Sequence, residues 1–414
     1  MIDTIRALEA QAQQLEPDAA TRQQLLAAVS GYGEAFLEHL PEAKAYERTE
    51  DKGRALWDHP IAEDPADLAE ILDLFRDQVD RPGLNPASGG HLGYIPGGGL
   101  YPAALGDYLA AVTNRYAGVF FASPGAVRLE NQLIRWMASL MGYPATATGN
   151  LASGGSVANL IAIATARDAK GLKAVDFPRA VIYLSGQAHH CISKGVRLAG
   201  LGECTIRVVP TDDRFRMDTQ ALANALEEDK AQGKLPFLII GSIGTTDTGA
   251  VDPIPKMADL AKQHNCWLHV DAAYGGFFVL CEELKAKFKG IERSDSVVID
   301  PHKGLFLPYG LGAVLVRDTE HLRQSNQYHA HYLQDTVTDT EELSPAELSP
   351  ELSKHFRGLR LWLPLKLFGV QPFRAGLMEK VWLCRYFYRE VQAIPGFEVG
   401  PEPELSVMIF RYVP

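Results

Sequence analysis

Paired cysteines are missing from this sequence. The five it has, at 191, 204, 266, 281 and 384, are odd in number, scattered and never in C-x-x-C spacing. That excludes a disulfide framework and argues against a zinc site, so no metal is expected. Long apolar runs are missing too. No stretch approaches bilayer-spanning length, and the opening MIDTIRALEAQAQQLEPDAATRQQ holds no apolar core of signal-peptide size. Positive charge is in deficit: 40 Lys and Arg stand against 51 Asp and Glu, a net charge of −11. Nucleic acid and anionic membranes both reward positive charge, so neither is expected as a partner. There is no internal repeat, no G-x-x-x-x-G-K-[ST] loop and no G-x-G-x-x-G fingerprint. What remains is a cytoplasmic protein with reduced thiols and ordinary globular composition, 46% apolar and 22% charged.

The 414 residues suffice for two or three domains. Residues 1–80 carry apolar residues at helical spacing (Ile5, Leu8, then Leu25, Leu26, Val29), which predicts two or three amphipathic helices. They are too few to form a core alone, so a second subunit is expected to cover them. The stretch SGGHLGYIPGGGLYP, 88–102, is too dense in Gly and Pro for regular structure. From about 125 to 320, helical patterns alternate with short strand-like runs: AVIYLS (180–185), CTIRVV (204–209), FLIIGSIG (237–244), WLHVDA (267–272), SVVID (296–300) and GAVLVRD (312–318). That alternation predicts an α/β fold, a mostly parallel sheet covered by helices on both faces. The expected divisions are a helical segment over 1–80, a large α/β domain over 81–325, and a mobile loop with a small, shortened α+β domain over 326–414. The loop, 333–354, is acidic and carries two Ser-Pro turns, which reads as a disordered segment or a lid. LSVMIFRY is read as a final strand.

Ligands of open α/β sheets gather beyond the carboxyl ends of the strands, so the residues there carry the chemistry. LASGGSVANLIAIATA (151–166) places backbone N–H groups at a helix N-terminus, which suits an anion, although S-G-G-S also reads as a plain capped turn. SGQAHHCISKG (185–195) offers adjacent histidines, or a surface turn. GSIGTTDTGAVDPI (241–254) offers hydroxyls at 245 and 246, or a helix cap. HVDAAYGG (269–276) ends an apolar strand on Asp271, whose carboxylate needs a cation or several donors, and the two alanines after it leave room for something flat. VVIDPHKGLFLPYG (297–310) ends a β-branched run with Lys303, costly to bury unless it snorkels. One ligand uses all of these: pyridoxal 5′-phosphate. Its aldehyde takes a lysine amine as a Schiff base, its ring nitrogen keeps its proton beside a buried aspartate, and its phosphate suits a helix N-terminus.

HVDAAYGG, DPHKGLFLPYG, QAHH and FRGLRLW resemble the blocks of the group II pyridoxal-phosphate-dependent amino-acid decarboxylases, those of aromatic amino acids and of glutamate. The resemblance runs from about residue 80 onward. It implies an aspartate-aminotransferase-like fold (fold type I), a homodimer, and decarboxylation of an L-amino acid to the amine and CO2. It also implies roles. Lys303 would hold the cofactor with His302 beside it, Asp271 would pair with the ring nitrogen, and Ala273 would lie beneath the ring. His189 would stack on the other face, Gly155 and Ser156 would bind phosphate through backbone N–H groups, and Thr246 would stand near the ring hydroxyl and substrate carboxylate. Tyr94, Ile95 and Pro96, with Tyr309, would line the substrate side chain, and Tyr116 and Phe120 would reach it across the dimer. The aromatic lining favours an aromatic substrate. The chain also departs from the family's pattern. Gly304 replaces a larger residue, which predicts a looser pocket. Residues 333–353 contain no Tyr, leaving Tyr332 as the acid that returns a proton to the substrate carbon. Without such an acid the chemistry diverts to oxidative deamination, so an aldehyde synthase, another carbon–carbon lyase or a non-catalytic homologue are the alternatives.

Overall fold

The computed structural model describes residues 1–327 and 341–414. Contacts divide the chain into two units, Met1–Gly98 and Gly99–Pro414.

In the first unit, helices α1 (Ile2–Ala12), α2 (Ala19–His39) and α3 (Leu68–Phe75) accompany a short antiparallel pair, β1 (Tyr46–Glu47) with β2 (Gly83–Leu84). Asp18 and Asp67 cap α2 and α3 by accepting from the N–H groups of Thr21 and Ala69. Tyr32 ties the unit together, donating to Asp80 at 2.6 Å and meeting Phe75 edge-on. No residue of these three helices is buried. Leu25, Leu26 and Val29, the expected apolar stripe of α2, lie in the open.

The second unit is built on a seven-stranded sheet: β3 (Thr148–Ala152), β4 (Ala180–Ser185), β5 (Thr205–Val209), β6 (Leu235–Ser242), β7 (Trp267–Asp271), β8 (Ser296–Ile299) and β9 (Gly312–Val316). Their spatial order is β3-β9-β8-β7-β6-β4-β5. β5, β4, β6, β7 and β8 run parallel, and β9 is antiparallel to both of its neighbours. β3 therefore points the same way as β8, and its carboxyl end lies on the same rim. β4, β8 and β9 are buried along their whole length, as strands covered on both faces must be. The helices of this unit are α4 (Tyr101–Thr113), α5 (Pro124–Leu140), α6 (Gly155–Ala169), α7 (Cys191–Leu198), α8 (Thr219–Ala231), α9 (Ile254–Gln263), the single turn α10 (Pro301–Gly304), α11 (Thr319–Asn326), α12 (Gly358–Phe368) and α13 (Gln371–Gln392). α6 presents Ala158, Ala162 and Ala166 to the sheet, small enough for close packing.

Six strand expectations hold to within a few residues. β3 was not foreseen, because TGNLA has little β-branched or aromatic content. The expected C-terminal strand is shorter: only β11 (Phe410–Tyr412) forms, paired antiparallel with β10 (Phe397–Val399). Its would-be first half packs inward instead. Leu405 is fully buried, and the Ser406 N–H donates to the Tyr274 hydroxyl at 2.9 Å.

The acidic stretch also departs from expectation over 341–354, which is built into the unit rather than standing off as a lid. Glu341 pairs with Arg128, Glu342 accepts from Asn131 and Arg135 at 2.9 and 2.7 Å, and Ser344 Oγ accepts from Phe120 N–H at 3.0 Å. Leu348 is fully buried, and the Lys354 ammonium lies 2.9 Å from Glu130 with both side chains out of solvent. All five cysteines are free and buried. No helix among the described residues is long and apolar enough to cross a membrane.

Candidate active site

β8 delivers its chain to the rim at Asp300, which is fully buried, and α10 turns the next residues back over it. That one turn sets Lys303 three residues on, with its Nζ 2.9 Å from Asp300 Oδ2. Lys303 therefore does not snorkel to bulk water. Burial works against its charge, but the carboxylates of Asp300 and Asp271 outweigh burial and raise its pKa above the ordinary lysine value. Burial likewise pushes the Asp300 carboxyl upward, against the pull of Lys303 and His302. His302 gives its Nδ1 proton to the Leu311 carbonyl at 2.5 Å and lies 3.8 Å from Asp300 through Nε2. Burial holds it below the usual imidazole pKa.

The walls around Asp300 are backbone. Gly155 N–H donates to Oδ2 at 3.1 Å, so α6 starts on this carboxylate. A Cβ on Gly155 would stand 2.8 Å from Oδ2, and one on Gly312 would stand 2.5 Å from Oδ1. Only glycine fits at either place, and Oδ1 has no hydrogen-bond partner.

The neighbouring strand β7 ends on Asp271, in register with Val298 of β8. Asp271 accepts from Ala273 N–H at 3.1 Å through Oδ1 and from Asn159 Nδ2 at 3.2 Å through Oδ2. Ala273 is buried beside Gly155, whose added Cβ would meet Ala273 Cβ at 3.3 Å. After β4, His189 stands half-buried with the His190 ring 4.0 Å away. Its Nδ1 accepts from Cys191 N–H at 3.3 Å, so a neutral ring carries its proton on Nε2. Burial, then His190, lowers its pKa, and Asp271 and Lys303 are near enough to act on it. Cys191, in the same neighbourhood, is pushed by burial up to about 12.

The rim thus gathers Gly155, His189, Asp271, Ala273, His302 and Lys303 from four strand ends. Ser156 lies exposed at the β3 end, and Thr246 lies exposed after a fifth strand, β6. Tyr309 stacks obliquely near His302, ring centres 5.9 Å apart. Tyr116 donates to the Leu352 carbonyl at 2.8 Å, and Phe120 is buried with the Arg128 guanidinium 5.0 Å above its ring, so both are engaged within their own chain. Tyr94, Ile95 and Pro96 belong to the first unit, where Tyr94 stacks with His91. Tyr332 lies outside the described residues. Gly304 does not loosen anything: a Cβ there would stand 2.8 Å from Phe277 Cβ, so the glycine admits a close neighbour rather than opening space.

Three groups at this rim went unassigned in the sequence. Asp300 carried the same signal as Asp271, a carboxylate ending a buried strand. His269 lies two residues before Asp271 and so on the same face of β7. Asn159 is a buried amide among the alanines of α6, where Thr165 is the other buried polar residue.

A lysine and a partnered aspartate on adjacent strand ends of such a sheet define an aspartate-aminotransferase-like pyridoxal-phosphate enzyme. The conserved domain of the pyridoxal-dependent decarboxylases matches residues 54–413. The chain belongs to that family and is a pyridoxal-phosphate-dependent amino-acid decarboxylase. It is 35% identical over 355 residues to the aromatic-L-amino-acid decarboxylase of Bacillus atrophaeus, covering 86% of this chain and 74% of the relative. It is 30% identical to the phenylacetaldehyde synthase of Petunia hybrida, covering 85% and 71%. Its fold is similar to the crystal structure of Oryza sativa TDC with PLP and tryptamine, at TM-score 0.90 and 26% identity over 96% of this chain and 84% of that one. The residues present fit the cofactor. There is an amine for its aldehyde, a carboxylate with fixed donors for its ring nitrogen, small side chains beneath, and a helix N-terminus at the same rim.

Proposed function

We propose that the protein decarboxylates an aromatic L-amino acid to its amine and CO2, as a cytoplasmic homodimer. The observation that carries this reading is the Lys303 ammonium, half-buried where the charges of Asp300 and Asp271 both act on it, on the rim where the parallel strands end. Bound there, pyridoxal 5′-phosphate supplies the electron sink for the carbon that loses its carboxylate. Lys303 would hold the cofactor, its Nζ being the amine that fits the aldehyde. Asp271, as a carboxylate, keeps a proton on the ring nitrogen. His189, neutral, would cover one face of the ring, and the small Ala273 would lie against the other. Ser156 would bind the phosphate through its N–H at the start of α6, whereas the Gly155 N–H, expected to do the same, is given to Asp300. His302 braces Lys303, and Thr246 meets the ring hydroxyl and the substrate carboxylate.

The substrate side chain is assigned to Tyr94, Ile95, Pro96 and Tyr309, while Tyr116 and Phe120, expected to reach it across the dimer, are engaged within their own chain. Tyr332 is assigned the proton returned to the α-carbon. The aromatic choice rests on this lining and on the aromatic substrate in the name of the Bacillus relative. The dimer is supported by the uncovered apolar residues of α2, and the cytoplasm by the five free cysteines.

A panel of L-amino acids tests the reading. CO2 and the amine are expected from the aromatic members and not from glutamate. CO2 from no aromatic member would end it. Aldehyde with ammonia would favour the second reading, an aldehyde synthase, which the lack of Tyr over 333–353 supports.

A further inference from the structure

A single chain of hydrogen bonds runs beneath the site, and its direction can be read. Trp267 Nε1 donates to Ser296 Oγ at 2.8 Å, and Ser296 Oγ meets His269 Nδ1 at 2.8 Å. His269 Nε2 meets Asn159 Oδ1 at 2.7 Å, and Asn159 Nδ2 donates to Asp271 Oδ2 at 3.2 Å. The four residues before Asp271 are each 2% exposed or less, so no water can substitute for a lost partner.

The carboxylate end fixes the histidine proton, and the indole end is consistent with it. An indole N–H only donates, so Ser296 Oγ receives there and keeps its own proton to give. A carboxylate only accepts, so the Asn159 amide turns Nδ2 to Asp271 and Oδ1 to His269. His269 must then carry its proton on Nε2, which leaves Nδ1 to accept from Ser296. The Asp271 end requires this neutral tautomer, and the Ser296 hydroxyl, free to donate to Nδ1, accommodates it. Burial pushes the His269 pKa down to about 4, so the ring stays neutral at physiological pH. A second proton, on Nδ1, would face an oxygen already receiving the indole N–H and would displace the Ser296 proton.

We propose that Asn159 and His269 are positioning residues that hold the Asp271 carboxylate in one rotation, aimed at the cofactor's ring nitrogen. The proposal rests on the assignment of Asp271 to that nitrogen. Ala273 N–H anchors Oδ1 but leaves the carboxylate free to swing about that contact, and Asn159 supplies the second donor that stops it. The donor is itself held by His269 and, through it, by Ser296 and Trp267, on the strand pair that carries both Asp271 and Lys303.

Asn159→Asp tests this with almost no change in volume. It replaces the donor facing Asp271 with an oxygen that repels it. The holoenzyme should keep its cofactor, and kcat should fall about 10–100-fold, the usual loss when a residue that orients a site ligand is removed, with KM nearly unchanged. The 15N resonance of ring-labelled cofactor should move toward the unprotonated position. In the unmodified holoenzyme, 15N spectra of labelled histidine should show one neutral imidazole of the Nε2–H form that gains no second proton above about pH 5. An Nδ1–H form at His269 would overturn the proposal whether or not the variant folds, and so would unchanged kcat and an unchanged 15N shift in Asn159→Asp. Asp271→Asn separates the two levels. If it leaves the ring-nitrogen signal in place, the assignment of Asp271 has failed. If it moves that signal and Asn159→Asp does not, only the positioning role has.

Discussion

In the role proposed for Lys303, Asp300 sets the state in which the amine meets the cofactor. An amine must shed a proton before it attacks an aldehyde, and the nearby carboxylate raises the pKa at which Lys303 does so. Removing that charge leaves burial opposed chiefly by Asp271. Asp300→Asn should therefore shift the pH at which apoprotein captures the cofactor at half its maximal rate to a lower value. Stopped-flow absorbance across a pH series reads this, and an upward or absent shift would refute the electrostatic account. Lys303→Ala should abolish the visible absorbance of the holoenzyme and lower turnover by at least about 10²–10⁴-fold. At this scale the sequence was half legible. Lys303 and Asp271 could be picked out because a charged group ending an apolar strand demands a partner. Asn159 and His269 could not, because their importance lies in which atoms face each other, and that is settled only when α6 packs on β7 and β8.

Elements were legible where composition and burial agree. β4, β6, β8 and β9 read as strands because they are dense in apolar residues, as strands covered on both faces must be. The stretch after 340 misled because its acidity suggests solvent, while its partners sit far back in the chain on α5: Arg128, Asn131, Arg135 and Glu130. The Glu130–Lys354 pair closes this attachment out of solvent. Lys354→Met strands a buried carboxylate and should cost about 3–5 kcal/mol in urea unfolding, with new proteolytic cleavage over 341–354. Replacing Glu130 by Gln as well should recover part of that loss. The α10 turn gives a second check. Gly304→Ala drives a methyl group into Phe277 and should destabilise by about 1–3 kcal/mol while leaving the charge pair at Asp300 intact.

For the whole molecule, the first unit poses the main question. Its helices bury nothing in the isolated chain, and Leu25 and Leu26 stand 40% and 48% exposed. If a second copy covers them, the Leu25→Glu/Leu26→Glu double variant should sediment as a monomer and lose activity at micromolar concentration. A dimer that persists with full activity would show that α2 faces elsewhere. The sequence foretold helices too few to form a core, since 1–80 alternates apolar and polar residues without length enough to fold back on itself. What covers them is a property of two chains, which one chain's pattern does not encode.

The burial of all five cysteines turns the molecule into its own reporter of opening. Their thiols are pushed up to about 12 at positions 191 and 266 and about 11 at 204, 281 and 384, far above the pH of any ordinary buffer. An alkylating reagent should therefore mark none of them while the chain is closed. The order in which they become labelled as denaturant rises would record which region comes apart first: Cys191 at the rim, or Cys384 on α13.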